Sequence, residues 1–294
     1  MNILLTILSL FTLALPKAVF AGSFNYTWYM TLKKDKRETF MRRPLFVSFS
    51  QDGNRAYIVD GTGKLFSYSV KRGVPKPAFF AKGVLNKPVA MAKFSKEKII
   101  VINRGNQEID IINLKTRKIE KIRMRIIPDK IFIHKGYIYI LDRLTGDIYK
   151  FNNQFNVKEV FTHGKDDGFI DFKIRKDKIV CLKPISKTVV EFDLKTGKRK
   201  AIKLEDKNHK LLLPVSIDID KNGFIYICDK DAGNIKIYNS QGALLDIILE
   251  RGEKRGKLYY PSYINFDKYG NLWIAEEGNG RVEVFDKQTA KSKK

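Results

Sequence analysis

Apolar and polar residues alternate with a period of two through much of the chain, and Pro214–Asn239 shows the pattern most clearly. Val215–Asp220 alternates, Lys221-Asn222-Gly223 interrupts, and Phe224–Asp229 is more uniformly apolar. Lys230–Gly233 interrupts again before Asn234–Asn239. Alternation bounded by Gly, Asn and Asp predicts three short antiparallel strands joined by tight turns. The Asn-Gly pair supplies the positive φ that such a turn requires.

The unit recurs. A Pro opens a strand, and about fifteen residues later an acidic or amide residue closes a more apolar one. The pairs are Pro44 with Asp60, Pro88 with Asn103, Pro128 with Asp142, Pro214 with Asp229, and Pro261 with Glu276; Gly168 with Lys183 fills a sixth place in degenerate form. The mean step is about 43 residues, the period of a four-stranded propeller blade. Pro is tolerated at the first residue of a strand, where its missing N–H costs no ladder bond.

The first strands run from Leu45–Ser50 in the first unit to Ser262–Asp267 in the last, with Phe169–Arg175 in the fourth. Second strands, expected at Arg55–Asp60, Lys98–Asn103, Tyr137–Asp142, Lys178–Lys183, Phe224–Asp229 and Asn271–Glu276, are apolar enough to be covered on both faces. Only five fourth strands are legible: Pro77–Lys82, Ile119–Arg125, Glu159–His163, Lys200–Leu204 and Leu244–Leu249. The polar tail after Asp286 cannot supply the sixth. Asn25–Leu32, aromatic and β-prone, is expected to complete the last blade instead, closing the ring and its open edges. The fold class is therefore all-β: one six-bladed β-propeller of four-stranded antiparallel blades.

In the last two units the residues resemble NHL repeats. A Gly-punctuated lead-in, Gly252–Pro261, precedes Asp267-Lys-Tyr-Gly270-Asn-Leu-Trp-Ile-Ala-Glu276 and Arg281-Val-Glu-Val-Phe-Asp286. The resemblance implies a six-bladed propeller and little about activity, since such propellers include protein-binding, RNA-binding and lyase members.

Composition adds compartment and charge. Ile3–Leu15 is an apolar run followed by Ala18-Val19-Phe20-Ala21, which reads as a secretory signal over 1–21, cleaved to leave a single domain over 22–294. The run is short for a membrane span, so a secreted or periplasmic location is expected. A formal charge of +24 favours anionic partners: a protein or an anionic polymer of the cell envelope. Nucleic acid is disfavoured by export, and a monomer is expected. Cys181 and Cys228 fall one position out of register in adjacent units, so two buried thiols are expected ahead of a disulfide.

Candidate chemistry is sparse. Asp218, Asp220, Asn222, Gly223 and Asp229 match positions of an EF-hand loop, but both flanks are strand-like, and a hairpin turn with solvated acids is the better reading. His134, His163 and His209 share no repeat position, and no Gly-x-Ser-x-Gly occurs, so no catalytic or metal-binding residue is assigned. No cofactor is expected; a divalent cation in the channel belongs only to a second reading, a metal-dependent lyase or hydrolase of the six-bladed type.

The first reading is a non-enzymatic scaffold. Turns after second strands and before first strands share one face around the channel mouth. That face is expected to present Arg43, Asp60, Arg104, Asp142, Arg143, Asp229, Lys230, Tyr260 and Glu276. Strand-end acids also commonly bond backbone N–H groups of a neighbouring turn, and both roles remain open at this point. Arg117, Lys118, Lys121, Arg123 and Arg125, with Lys195, Lys198, Arg199, Lys200 and Lys203, crowd two outer strands, where cations guard an edge against pairing.

Overall fold

Each Pro that opens an inner strand pairs across the sheet with the residue that ends the next strand. The partners are Pro44 and Asp60, Pro88 and Asn103, Pro128 and Asp142, Pro214 and Asp229, and Pro261 and Glu276. The register is irregular beside every such pair, as expected where a bulge absorbs the missing donor. The recurrent spacing is thus the length of one hairpin.

The computed structural model describes residues 24–76, 84–205 and 209–287. The expected signal segment 1–21, the expected strand Pro77–Lys82 and the residues beyond 287 lie outside the described residues. β1 (Tyr26–Leu32) precedes the first blade, which holds β2 (Pro44–Phe49), β3 (Arg55–Asp60) and β4 (Lys64–Ser69). Blade two comprises β5 (Pro88–Lys93), β6 (Lys98–Asn103), β7 (Glu108–Asn113) and β8 (Ile119–Arg123). Blade three comprises β9 (Pro128–His134), β10 (Tyr137–Asp142), β11 (Ile148–Phe151) and β12 (Val157–Phe161). Blade four comprises β13 (Asp171–Arg175), β14 (Lys178–Lys183), β15 (Thr188–Asp193) and β16 (Arg199–Lys203). Blade five comprises β17 (Pro214–Ile219), β18 (Ile225–Asp229), β19 (Asn234–Tyr238) and β20 (Leu244–Ile248). β21 (Pro261–Phe266), β22 (Leu272–Glu276) and β23 (Arg281–Lys287) make blade six, and β1 lies antiparallel against β23 as its fourth strand. The fold is a six-bladed β-propeller whose first strands neighbour one another around the ring.

Second strands form the core because blades stack on both their faces: Ile58, Ile100, Ile140, Ile179, Ile227 and Ile274 have no exposed surface. Trp273 is buried with its indole N–H donated to Asp267 Oδ2 at 3.0 Å, which satisfies the one polar atom of a large apolar side chain. Cys181 and Cys228 are free, buried and in different apolar clusters; burial pushes both thiols up. β13 begins at Asp171, two residues later than expected. Phe169 gives its N–H to Gly146 O at 3.0 Å and packs its ring edge-on to His163 and Phe192, so it serves the core as a loop residue. No helix among the described residues is long and apolar enough to cross a membrane.

Candidate functional site at the channel mouth

The strand-end acids face inward. Asp60, Asp142, Asp229 and Glu276 are buried, and each accepts backbone N–H groups from the loop that enters its blade. Asp60 Oδ2 receives Arg42 and Arg43 N–H at 2.7 and 3.0 Å. Asp142 Oδ1 receives Ile127 at 2.9 Å, Asp229 receives Leu212 and Leu213 at 2.9 Å, and Glu276 Oε2 receives Tyr259 at 2.8 Å. Asp229 is also paired with Lys236 at 2.6 Å and Glu276 with Arg281 at 2.9 Å. These four carboxylates latch the entry loops of blades one, three, five and six to their second strands.

Blade four reverses the polarity. Lys183 stands where its siblings have an acceptor and donates to Lys165 O at 2.7 Å, while Asp167, on the loop, accepts Ile185 and Ser186 N–H at 2.7 and 3.2 Å. Donor and acceptor have exchanged sides, and the latch is kept.

The other expected residues gather outside the latches. Arg43 and Lys230 both hold Glu277, at 3.0 and 2.9 Å, which ties blades one, five and six together. Burial opposes ionisation of Glu277, yet the two cations hold its carboxyl below its ordinary value. Arg104 pairs with Asp129, and its guanidinium is pulled down by burial with Arg143 and Arg43 near it. Tyr260 stands apart: its hydroxyl accepts from Arg251 at 3.3 Å, and Arg251 lies over its ring.

Two residues of this cluster escaped the sequence reading. Asp129 and Lys130 open β9 immediately after Pro128, where sibling strands place Leu45-Phe46, Val89-Ala90 and Val215-Ser216. That substitution of charged for uncharged residues is the available signal. Lys130 is 16% exposed and lies 3.0 Å from Asp129. Burial pulls its ammonium down to about 8; Asp171 opposes the shift, and Arg104 and Arg143 add to it.

Below the mouth the channel wall is a buried polar network. Asp171 pairs with Lys173 at 2.8 Å, both fully buried, and also accepts the Ser216 hydroxyl and Ile217 N–H. Lys173 lies 4.0 Å from the centre of the Tyr263 ring. Arg175 donates to both oxygens of Asp218 and to Asn265, whose amide reaches Val47 O at 2.9 Å. Asp218 also takes the Phe266 N–H at 2.7 Å. The expectation of solvated acids around the EF-hand-like stretch is therefore corrected for Asp218 and Asp229: both are buried and bonded to cations and backbone donors.

His134 lies at the far end of β9 from Pro128, beside Asp177, and the His163 carbonyl accepts from Arg199 of blade four at 2.8 Å. His209 is exposed in the loop before β17. The outer-strand cations reach laterally: Lys121 to Glu108 at 2.7 Å, Lys200 to Ser240 O at 3.2 Å, and Lys203 to Ser186 O.

No protein-family model matches the chain, and no curated relative matches it by sequence. Solved structures match by shape. An auxiliary nutrient binding protein from Bacteroides ovatus superimposes with a TM-score of 0.66 at 13% identity, over 90% of this chain and 78% of that one. A virginiamycin B lyase from Staphylococcus aureus gives 0.60 at 15%, over 83% and 80%. The WD40 propeller domain of Doa1 gives 0.62 at 12%, over 91% and 98%. At such identities the likeness concerns the fold.

Proposed function

We propose that the protein is an exported, non-enzymatic scaffold that captures an anionic ligand, an acidic protein or an envelope polymer, at the channel mouth. The observation that carries this reading is the charge imbalance there. Outside the latches, Arg43, Arg104, Lys130, Arg143 and Lys230 outnumber the acids they meet, Glu277 and Asp129, with Asp171 acting on Lys130 from the channel wall. Cations crowded into a partly dry site repel one another, and an anion relieves that repulsion. The nutrient binding neighbour lends a precedent for capture by this fold.

The second reading, a metal-dependent lyase or hydrolase, draws on the virginiamycin B lyase neighbour. Its metal would need free carboxylate oxygens at the mouth. Those of Asp60, Asp142, Asp229 and Glu276 are occupied by backbone N–H groups, Lys236 and Arg281. These residues do not fit a divalent ion, and the binding reading is preferred.

Immobilised dextran sulfate and a pull-down from the exported fraction, each at low and high salt, test the proposal. Arg43→Ala, Arg104→Ala and Arg143→Ala together should lower the salt needed for elution and weaken capture. Unchanged elution and capture would overturn the assignment of this face.

A further inference from the structure

The mouth face carries a second feature besides its charge. Aliphatic side chains occupy the tips of its turns: Leu144 after β10, Ile185 after β14, and Leu212-Leu213 ahead of β17. Leu144 is 77% exposed and Ile185 83%. All flank the start of an inner strand or the end of a second strand, so the topology places them on one face across blades three, four and five. Tyr260 extends the arc to blade six.

The latches explain why these side chains stay outside. Leu144 N–H is held by Asp142 at 3.0 Å, Ile185 by Asp167 at 2.7 Å and Leu212 by Asp229 at 2.9 Å. Each turn is fixed by a carboxylate, and its side chain is ordered toward solvent without a core to enter. Turns between first and second strands on the opposite face are mainly polar, as in Gln51-Asp52-Gly53, Lys135-Gly136, Lys176-Asp177 and Lys221-Asn222-Gly223, with Tyr269 exposed in the corresponding turn of blade six and Val74 exposed after β4. Among the described residues the exposed Leu and Ile side chains all fall in these turns, and together they make an apolar arc on one face rather than scattered single positions.

We propose that this face docks on an anionic lipid surface, with Leu144, Ile185 and Leu212 entering the headgroup–acyl boundary while the mouth cations engage headgroups. The inference rests on the anionic-ligand reading and takes the anion to be lipid headgroups in place of a protein or a polymer. Separate aliphatic tips on convex turns suit shallow insertion. A protein interface would more often centre on aromatic and Arg anchors set in pockets, with Leu under-represented. Charge agrees: Arg143 stands beside Leu144, and Lys210 near Leu212, both exposed, and each cation near an anionic surface adds attraction.

Co-sedimentation of the chain from Gly22 onward, which holds all twenty-three described strands, tests this with vesicles of phosphatidylcholine alone or mixed with phosphatidylglycerol. The protein should sediment with the mixed vesicles and stay in solution with the neutral ones. Leu144→Ser, Ile185→Ser and Leu212→Ser combined should reduce partitioning at least about tenfold, with thermal unfolding and elution from dextran sulfate unchanged. Tyr269→Ser, an exposed aromatic on the opposite face, should sediment like wild type. Wild type left in solution with mixed vesicles, or a triple variant that sediments normally, overturns the lipid assignment. If dextran sulfate elution still shifts in the Arg43, Arg104 and Arg143 variant, the anionic-ligand reading survives with an acidic protein or an envelope polymer as the partner. If neither assay responds, both readings fall.

Discussion

Lys130 shows how a single position can report on the site. Its ammonium is largely buried between Asp129 and Asp171 on one side and Arg104 and Arg143 on the other, and burial draws its pKa from an ordinary 10.5 to about 8. Below that value the side chain is charged in folded and unfolded chains alike, and holding the charge in the mouth costs stability. Between about 8 and 10.5 the unfolded chain binds the proton and the folded chain does not, so this cost is relieved as pH rises. The proposed anion capture runs the opposite way, since it needs the charge. Retention on dextran sulfate should therefore weaken as pH rises through about 8, and a Lys130→Met variant should lack that step. Identical pH profiles for the two proteins would remove Lys130 from the site.

At the scale of strands and hairpins, the Pro and acid positions were legible because both act locally. Pro marks a strand start, and the acid ends the next strand opposite it, as Pro214 and Asp229 do. The acid's partner was not legible: Asp229 bonds Leu212 and Leu213, which a strand pattern does not distinguish from other loop donors. Alternation marks an inner strand such as Val215–Asp220 without showing what its polar positions meet, and in β13 Asp171, Lys173 and Arg175 place three charged side chains along the channel side. The Asp171–Lys173 pair is fully enclosed. Removing one member leaves an uncompensated buried charge, so Asp171→Ala should cost about 3–5 kcal/mol in denaturant unfolding. The double change Asp171→Ala and Lys173→Met should recover much of that loss. A double variant no more stable than the single one would show that the pair is not the unit of stability.

For the whole ring, closure depends on β1. Its residues pair with β23 from Tyr26 opposite Lys287 to Leu32 opposite Val282. Trp28 and Thr31 both donate to Glu283, at 2.9 and 2.6 Å, and Phe24 packs edge-on to Phe224. Deleting residues 24–33 uncovers the β23 edge and loses the burial of Phe24 and Leu32, which alone is worth about 3 kcal/mol or more. The thermal midpoint should fall, and exposed-edge association should rise. An unchanged midpoint would mean that the ring stands without this strand.

Strand period, blade number and hairpin length were readable along the chain because turn chemistry and side-chain alternation act between near neighbours. Which acids are consumed inside the fold, and which cations remain facing out, depended on contacts between distant residues. Arg43 and Lys230 become one site only because Glu277, 234 and 47 positions away from them, sits between them. Likewise Leu144 and Ile185 look like any loop aliphatics until the ring sets their turns on a single face. A linear pattern carries no record of which blade lies beside which, so the charge balance of the mouth was decided when the ring closed.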